Sequence, residues 1–250
     1  MKVLVVGGTA DGRHLATQLY HLGFDVRYSI AGVVRKATLP CPVITGGFTQ
    51  FGGLQQYLVD QKITHIVDAT DPFAQKMSNK IAQVCEALSL AAIRFQQPQW
   101  RATSADLWID VNDWSQVIAA VAKYDRLLVS AGQVSQSVLD QLAVSSKQLF
   151  LRTAMPVKIN LPNNVSWLKA VGPFQLANEI ALLEEHNIDA VISKNNGGHS
   201  TYAKIQAAAS LSLPVFQFER PKLLAIDNQF DTLAECVELL SQWRNTYYAG

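Results

Sequence analysis

Short apolar runs rich in β-branched residues alternate along this chain with longer segments whose apolar positions recur every three or four residues. The first kind predicts buried strands and the second amphipathic helices. In the first hundred residues the pattern predicts strands at Lys2–Val6, Phe24–Ile30, Val43–Thr45, His65–Thr70 and Ala91–Phe95. Helices are predicted at Gly12–Leu22, over Leu54–Gln61 and at Phe73–Leu88. Gln97-Pro98-Gln99-Trp100 marks a boundary, with Pro98 stopping the sheet. Beyond it, strands are predicted at Leu127–Ser130, Leu149–Thr153, Val165–Ala170, Ala190–Ser193 and Val215–Phe218. The matching helices are Ser135–Ala143, Gln175–His186, Ser200–Leu211 and Thr232–Trp243, while Ala102–Trp114 shows no clear period. Strands alternating with helices imply right-handed crossovers and parallel sheets. The expected fold is α/β, two parallel-sheet domains over 1–98 and 99–250 with an interdomain cleft, a favoured place for a ligand.

Composition narrows the function classes. Of the 250 residues 49% are apolar and 16% charged, which suits a sizeable core. The net charge of +1 argues against a nucleic-acid surface. No apolar run approaches the ~20 residues of a membrane span. The chain opens on a core strand rather than a signal segment, so a cytoplasmic protein is expected. Cys41, Cys85 and Cys236 are far apart and read as buried free thiols. The five histidines show no metal-ligand spacing, and no metal is expected.

The candidate chemistry sits where strands run into turns. Val6 is followed by Gly7-Gly8-Thr9-Ala10-Asp11-Gly12, a glycine-paired crossing into a helix. Outward amides and the helix dipole make such a crossing a place for a phosphate. Its glycine spacing departs from G-x-G-x-x-G, so a tight turn without ligand is the competing reading. The second strand ends in Tyr28-Ser29-Ile30-Ala31-Gly32, where NAD-preferring sheets carry an acidic residue. No acid lies between Asp25 and Asp60, whereas Ser29, Arg35 and Lys36 are present, which favours NADPH over NADH. Thr70 and Asp71 stand at the end of the fourth strand, and Asp71 with Pro72 also fits a helix N-cap. In the second half Ser193-Lys194-Asn195-Asn196-Gly197-Gly198-His199-Ser200-Thr201 repeats the strand–glycine turn–helix plan with more polar groups than a turn needs. With Lys204 one turn on, it suits a ligand rich in carboxylates. Leu128-Val129-Ser130-Ala131-Gly132-Gln133 is a third edge of this kind.

Taken together these stretches resemble the precorrin-6A reductase family, including its cobalt-precorrin-6A branch. The resemblance rests on Val5–Gly12, Tyr28–Gly32, Asp68–Ala74, Ser193–Gly198 and the Leu213–Pro221 tail, in order along nearly the whole chain. It implies NADPH-dependent reduction of the precorrin-6A macrocycle to the 6B form in cobalamin biosynthesis. It also implies a fold of two Rossmann-like domains with the active site in the cleft between them, a fold that allows strand exchange between the domains. On this resemblance Gly7, Gly8, Thr9, Asp11 and Gly12 hold the pyrophosphate, and Ser29, Ala31, Gly32 and Arg35 the adenosine end. Thr70, Asp71 and Phe73 border the nicotinamide. Lys194, Asn195, Gly197, Gly198, Thr201 and Lys204 meet the substrate, with Asp71 and Lys194 as the candidate catalytic residues. The family pattern carries His at the position of Asp71 and Arg at that of Val33. The expected partner is the tetrapyrrole alone, on a monomer or weak homo-oligomer. Two rival readings are another NADPH-dependent reductase and a non-catalytic NADPH-sensing module; no Tyr-x-x-x-Lys pair supports the first.

Overall fold

The computed structural model describes residues 1–32 and 38–249. They form two compact units, Met1–Pro98 with Pro221–Gly250, and Gln99–Arg220.

The first unit opens with β1 (Lys2–Val6), whose last four residues are buried. An unbroken Val-Leu-Val-Val run encodes a strand covered on both faces. Helix α1 (Ala10–His21) follows and buries Gly12, Leu15, Ala16 and Leu19. Gly23, at φ +82°, turns the chain into β2 (Asp25–Ile30). Then come β3 (Val43–Thr45), a 3-10 turn at Phe48–Phe51, α2 (Leu54–Asp60), β4 (His65–Asp68), α3 (Gln75–Leu88) and β5 (Ala91–Phe95). Helix α3 does not start at Phe73 under an Asp71 cap, as the capping pattern suggested. The Asp71 carboxylate accepts the Phe73 amide at 2.8 Å, and its carbonyl accepts that of Ala74 at 2.7 Å. Asp71–Ala74 is thus a closed turn, and the helix begins at Gln75. Pro suits such a turn as well as it suits a first helical turn.

The second unit runs β6 (Leu107–Val111), α4 (Trp114–Val121), β7 (Arg126–Ser130), α5 (Gln136–Ser145), β8 (Gln148–Thr153), β9 (Val165–Lys169), α6 (Leu176–Glu185), β10 (Ala190–Lys194), a 3-10 turn at His199–Thr201, α7 (Ala203–Ser210) and β11 (Pro214–Phe218). Strand β6 occupies the stretch without a clear period. It is an edge strand in which only Val111 is buried, and its Leu107-Trp108-Ile109 run, with Leu107 and Ile109 exposed, is too short to show a period. After Arg220 the chain adds β12 (Asn228–Phe230) and α8 (Leu233–Ala249).

All recorded pairs are parallel, in two six-stranded sheets ordered β12-β5-β4-β1-β2-β3 and β6-β11-β10-β7-β8-β9. In each sheet the order in which the strands are laid down reverses once, between β1 and β4 in the first and between β7 and β10 in the second. The first also takes its sixth strand, β12, from beyond the second unit, which is continuous in sequence. The chain goes from β5 to β6, which pairs with β11; it goes from β11 to β12, which pairs with β5. The expected second domain over 99–250 therefore stops at Arg220. The remainder belongs to the first unit because Asn228 and Phe230 register on Ile93 and Phe95, and α8 buries Cys236 and Leu240 beside Val3, Val5 and Leu15.

Candidate active site

In open parallel sheets the ligand crevice lies outside the carboxyl ends of the strands, where the order reverses. In the first unit that point is flanked by Gly7 after β1 and Ala69 after β4. Thr9 caps α1: its hydroxyl oxygen accepts the Gly12 amide at 3.0 Å and donates to the Ala69 carbonyl at 3.2 Å. A Cβ on Gly12 would stand 3.2 Å from that carbonyl, so the crossing is closed tightly on β4. Gly8 has φ +146° and open space where a side chain would project. The Gly7 amide donates to the Ser29 carbonyl at 2.8 Å. A Cβ on Gly7 would collide with the ring of Tyr28. Tyr28 is fully buried, and its hydroxyl accepts the Gly8 amide at 3.1 Å. Burial raises the phenol's pKa, against the opposing pull of the Gly8 amide and of Arg13. Asp11 accepts a hydrogen bond from Gln97 at 3.0 Å. The amides of Ala10 and Asp11 meet no acceptor among the described residues, as expected of a first helical turn. The cradle suits a pyrophosphate: bare backbone, room over Gly8 and the positive end of α1.

Ser29 is buried at the end of β2, while Ala31 beyond it is exposed. Arg35, with Val33 and Lys36, lies outside the described residues. At the end of β4, Asp68 is buried and salt-bridged to Arg94 at 3.1 Å. Arg94 also donates to the carbonyl of Leu224 at 2.8 Å and, weakly, to that of Ser78 at 3.4 Å. The Thr70 hydroxyl donates to Asp68 at 2.7 Å and lies 3.0 Å from the Ser78 hydroxyl. Thr70 is therefore bound into a network that fixes the loop. Half-buried Asp71 and Phe73 form the turn beyond it.

The second unit's reversal point is flanked by Ser130-Ala131-Gly132 after β7 and Lys194-Asn195 after β10. Gly132 has φ +83°, and the Lys194 ammonium lies 4.0 Å from where its Cβ would be. Asn195 is buried; its side chain accepts the Trp100 amide at 2.8 Å and donates to the Trp100 carbonyl at 3.0 Å. Arg220 donates to the carbonyls of Asn195 and Asn196, both at 2.8 Å. Gly197, at φ +78°, and Gly198 lead into the 3-10 turn, where Thr201 donates weakly to the Gly198 carbonyl. Lys204 points inward: it is 4% exposed, donates to the Thr201 carbonyl at 3.1 Å and lies 5.0 Å from the Trp100 ring.

The structure thus gathers Gly7, Gly8, Thr9, Asp11 and Gly12 at one reversal point. It gathers Lys194, Asn195, Gly197, Gly198, Thr201 and Lys204 around the other. Within the second group Lys194 reaches over the β7 turn, whereas the Asn195 and Lys204 side chains shape the β10 turn from inside. Sequence reasoning missed Tyr28, Arg94, Arg152, Glu179 and Arg220. For Arg94 and Arg152 the signal was a lone arginine inside an apolar strand run, which must find a partner when buried. Among the described residues no group of three or more His, Cys, Asp or Glu side chains is placed to hold a metal ion, and no helix is long and apolar enough to cross a membrane.

The family model for "Precorrin-6x reductase CbiJ/CobK" matches residues 2–241. Precorrin-6A reductase of Mycobacterium tuberculosis is 36% identical over 226 residues, covering 90% of this chain and 91% of its own. That of Rhodobacter capsulatus is 34% identical over 229 residues, covering 90% of each. A solved structure described as CobK precorrin-6A reductase superposes with a TM-score of 0.88 at 31% identity, covering 97% of this chain and 96% of that one.

Proposed function

Because the chain belongs to the CbiJ/CobK precorrin-6x reductase family, oxidoreductases of cobalamin biosynthesis, we propose that it reduces metal-free precorrin-6A with NADPH held by its first unit. The observation that carries the cofactor half is the Gly7–Gly12 crossing, with Gly7 closed by Tyr28 and Gly8 left bare. The amides of Ala10 and Asp11 and the α1 dipole bind the pyrophosphate there. Ser29, Ala31, Gly32 and Arg35 take the adenosine end, Arg35 pairing with the 2′-phosphate that distinguishes NADPH. Bound NADPH supplies the hydride. Thr70, Asp71 and Phe73 border the nicotinamide; the Asp68–Arg94 network holds that edge still, so that Asp71 stays on its turn. In the second unit Lys194 binds a carboxylate of the macrocycle over Gly132, and Gly197, Gly198 and Thr201 offer backbone and hydroxyl groups to others. Asn195 and Lys204 serve this site by holding its turn. The metal-free ring is preferred because the relatives matched at 34 and 36% identity are precorrin-6A reductases.

The test is a spectrophotometric assay with NADPH or NADH, against metal-free and cobalt-loaded precorrin-6A. Loss of NADPH absorbance with the metal-free ring, much slower with NADH, is expected. Faster turnover of the cobalt-loaded ring would reassign the substrate. Cofactor binding without oxidation on either ring would make the protein a sensor instead.

A further inference from the structure

The second unit contains a buried ion pair that the cofactor and substrate roles above leave unused. Arg152, on β8, and Glu179, in the first turn of α6, are each about 4% exposed. One terminal nitrogen of Arg152 donates to both Glu179 oxygens, at 2.7 and 2.8 Å. Its Nε and its other terminal nitrogen donate to the Ser130 hydroxyl at 3.3 and 3.1 Å. The guanidinium carbon lies 4.5 Å from the centre of the Phe174 ring. Every nitrogen of the guanidinium is therefore engaged inside the unit.

Such a pair gains little stability over well-packed apolar residues, since desolvation offsets most of the attraction. Its partners suggest another use. Ser130 is the last residue of β7, two positions before Gly132, over which Lys194 stands. Phe174 reaches the other turn: its amide donates to the Ser200 carbonyl at 2.9 Å. Gly172 is pressed against the same carbonyl, which would stand 2.9 Å from a Cβ there. Ser200 sits in the 3-10 turn between Gly198 and Thr201. One guanidinium thus links the β7 turn through Ser130 to the β10 turn through Phe174, and anchors both to α6 through Glu179.

We infer that Arg152 is a positioning residue for the macrocycle: clamped between Ser130, Glu179 and Phe174, it holds the Gly132 turn and the Lys194–Thr201 turn in the register that a polycarboxylate ring requires. The inference rests on the reading that these turns bind the ring. Removing one member alone would leave a buried charge, so the informative variant is the apolar double, Arg152→Met with Glu179→Leu. Its melting temperature should stay near that of the parent, its KM for precorrin-6A should rise about tenfold, and its KM for NADPH should not move. Ser130→Ala keeps the ion pair and removes only the link to β7. It should raise the macrocycle KM severalfold, and Ser130→Thr should restore it. An unchanged macrocycle KM in the double variant overturns the proposal; if the double fails to fold, an unchanged macrocycle KM in Ser130→Ala does the same. Lys194→Ala separates the two levels. If it raises the macrocycle KM while Ser130→Ala does not, the clamp falls and the site stands. If it leaves the macrocycle KM untouched, the site reading falls and takes the clamp with it.

Discussion

Single residues decide whether the first crossing can admit a cofactor. Gly7 is the sharpest case, because its missing side chain is replaced in space by the ring of Tyr28, which has no exposure and cannot swing away. Overfilling a packed site of this kind costs about 1–3 kcal/mol. In Gly7→Ala the ring or the crossing must move, and the Gly8 amide loses the Tyr28 hydroxyl as acceptor. The expected outcome is a KM for NADPH raised about tenfold or more, with the macrocycle KM little changed; equal rises in both would show that the damage is not local. The glycine pair and Thr9 were legible because their chemistry is local: a turn, a cap, a bare backbone. Tyr28 was not, because a tyrosine in a β-branched strand looks like any core aromatic. Its hydroxyl gains meaning only when β1 and β2 pair in register, Val5 on Tyr28, and bring Gly8 to it.

Elements were easier to find than their ends. Helix α3 was plain from its apolar period, but its start moved from Phe73 to Gln75 because Asp and Pro serve turns and caps alike. The β10 turn behaved similarly: a predicted helix at Ser200 resolves into a 3-10 turn at His199–Thr201 and then α7. Helix α8 joins its unit partly through His65, at the start of β4. The imidazole is buried, 2.8 Å from the Thr64 hydroxyl and 5.2 Å from the Trp243 ring centre. Burial first, and the nearby Met1 ammonium second, lower its pKa. The unfolded chain, with a pKa near 6.5, then binds the proton more readily than the folded one. Stability is fully present above about pH 6.5 and declines as pH falls below it. Thermal melts between pH 7.5 and 5 should show this acid limb, and His65→Phe should flatten it; an unchanged limb in the variant would place the titrating group elsewhere.

At the scale of the whole molecule, local pattern could supply two α/β units but not their membership. Nothing near Arg220-Pro221 signals that the following residues belong with the first hundred. Strand β12 is three residues long, and its partner β5 lies more than a hundred residues upstream. A chain ending at Arg220 should keep the second unit and lose the first. It would uncover the face of Val3, Val5 and Leu15 that Cys236 and Leu240 share, and leave β5 as an open edge. Limited proteolysis should release a resistant fragment near 99–220 and degrade 1–98; an intact 1–98 fragment that still binds NADPH would contradict this. The same borrowed strand sets a timetable during synthesis. The amino-terminal sheet emerges first yet waits on the order of ten seconds at the ribosome for its final strand and helix. Over that interval the later-made unit can reach its native state before the earlier one is complete, and a chaperone would find its client at β5.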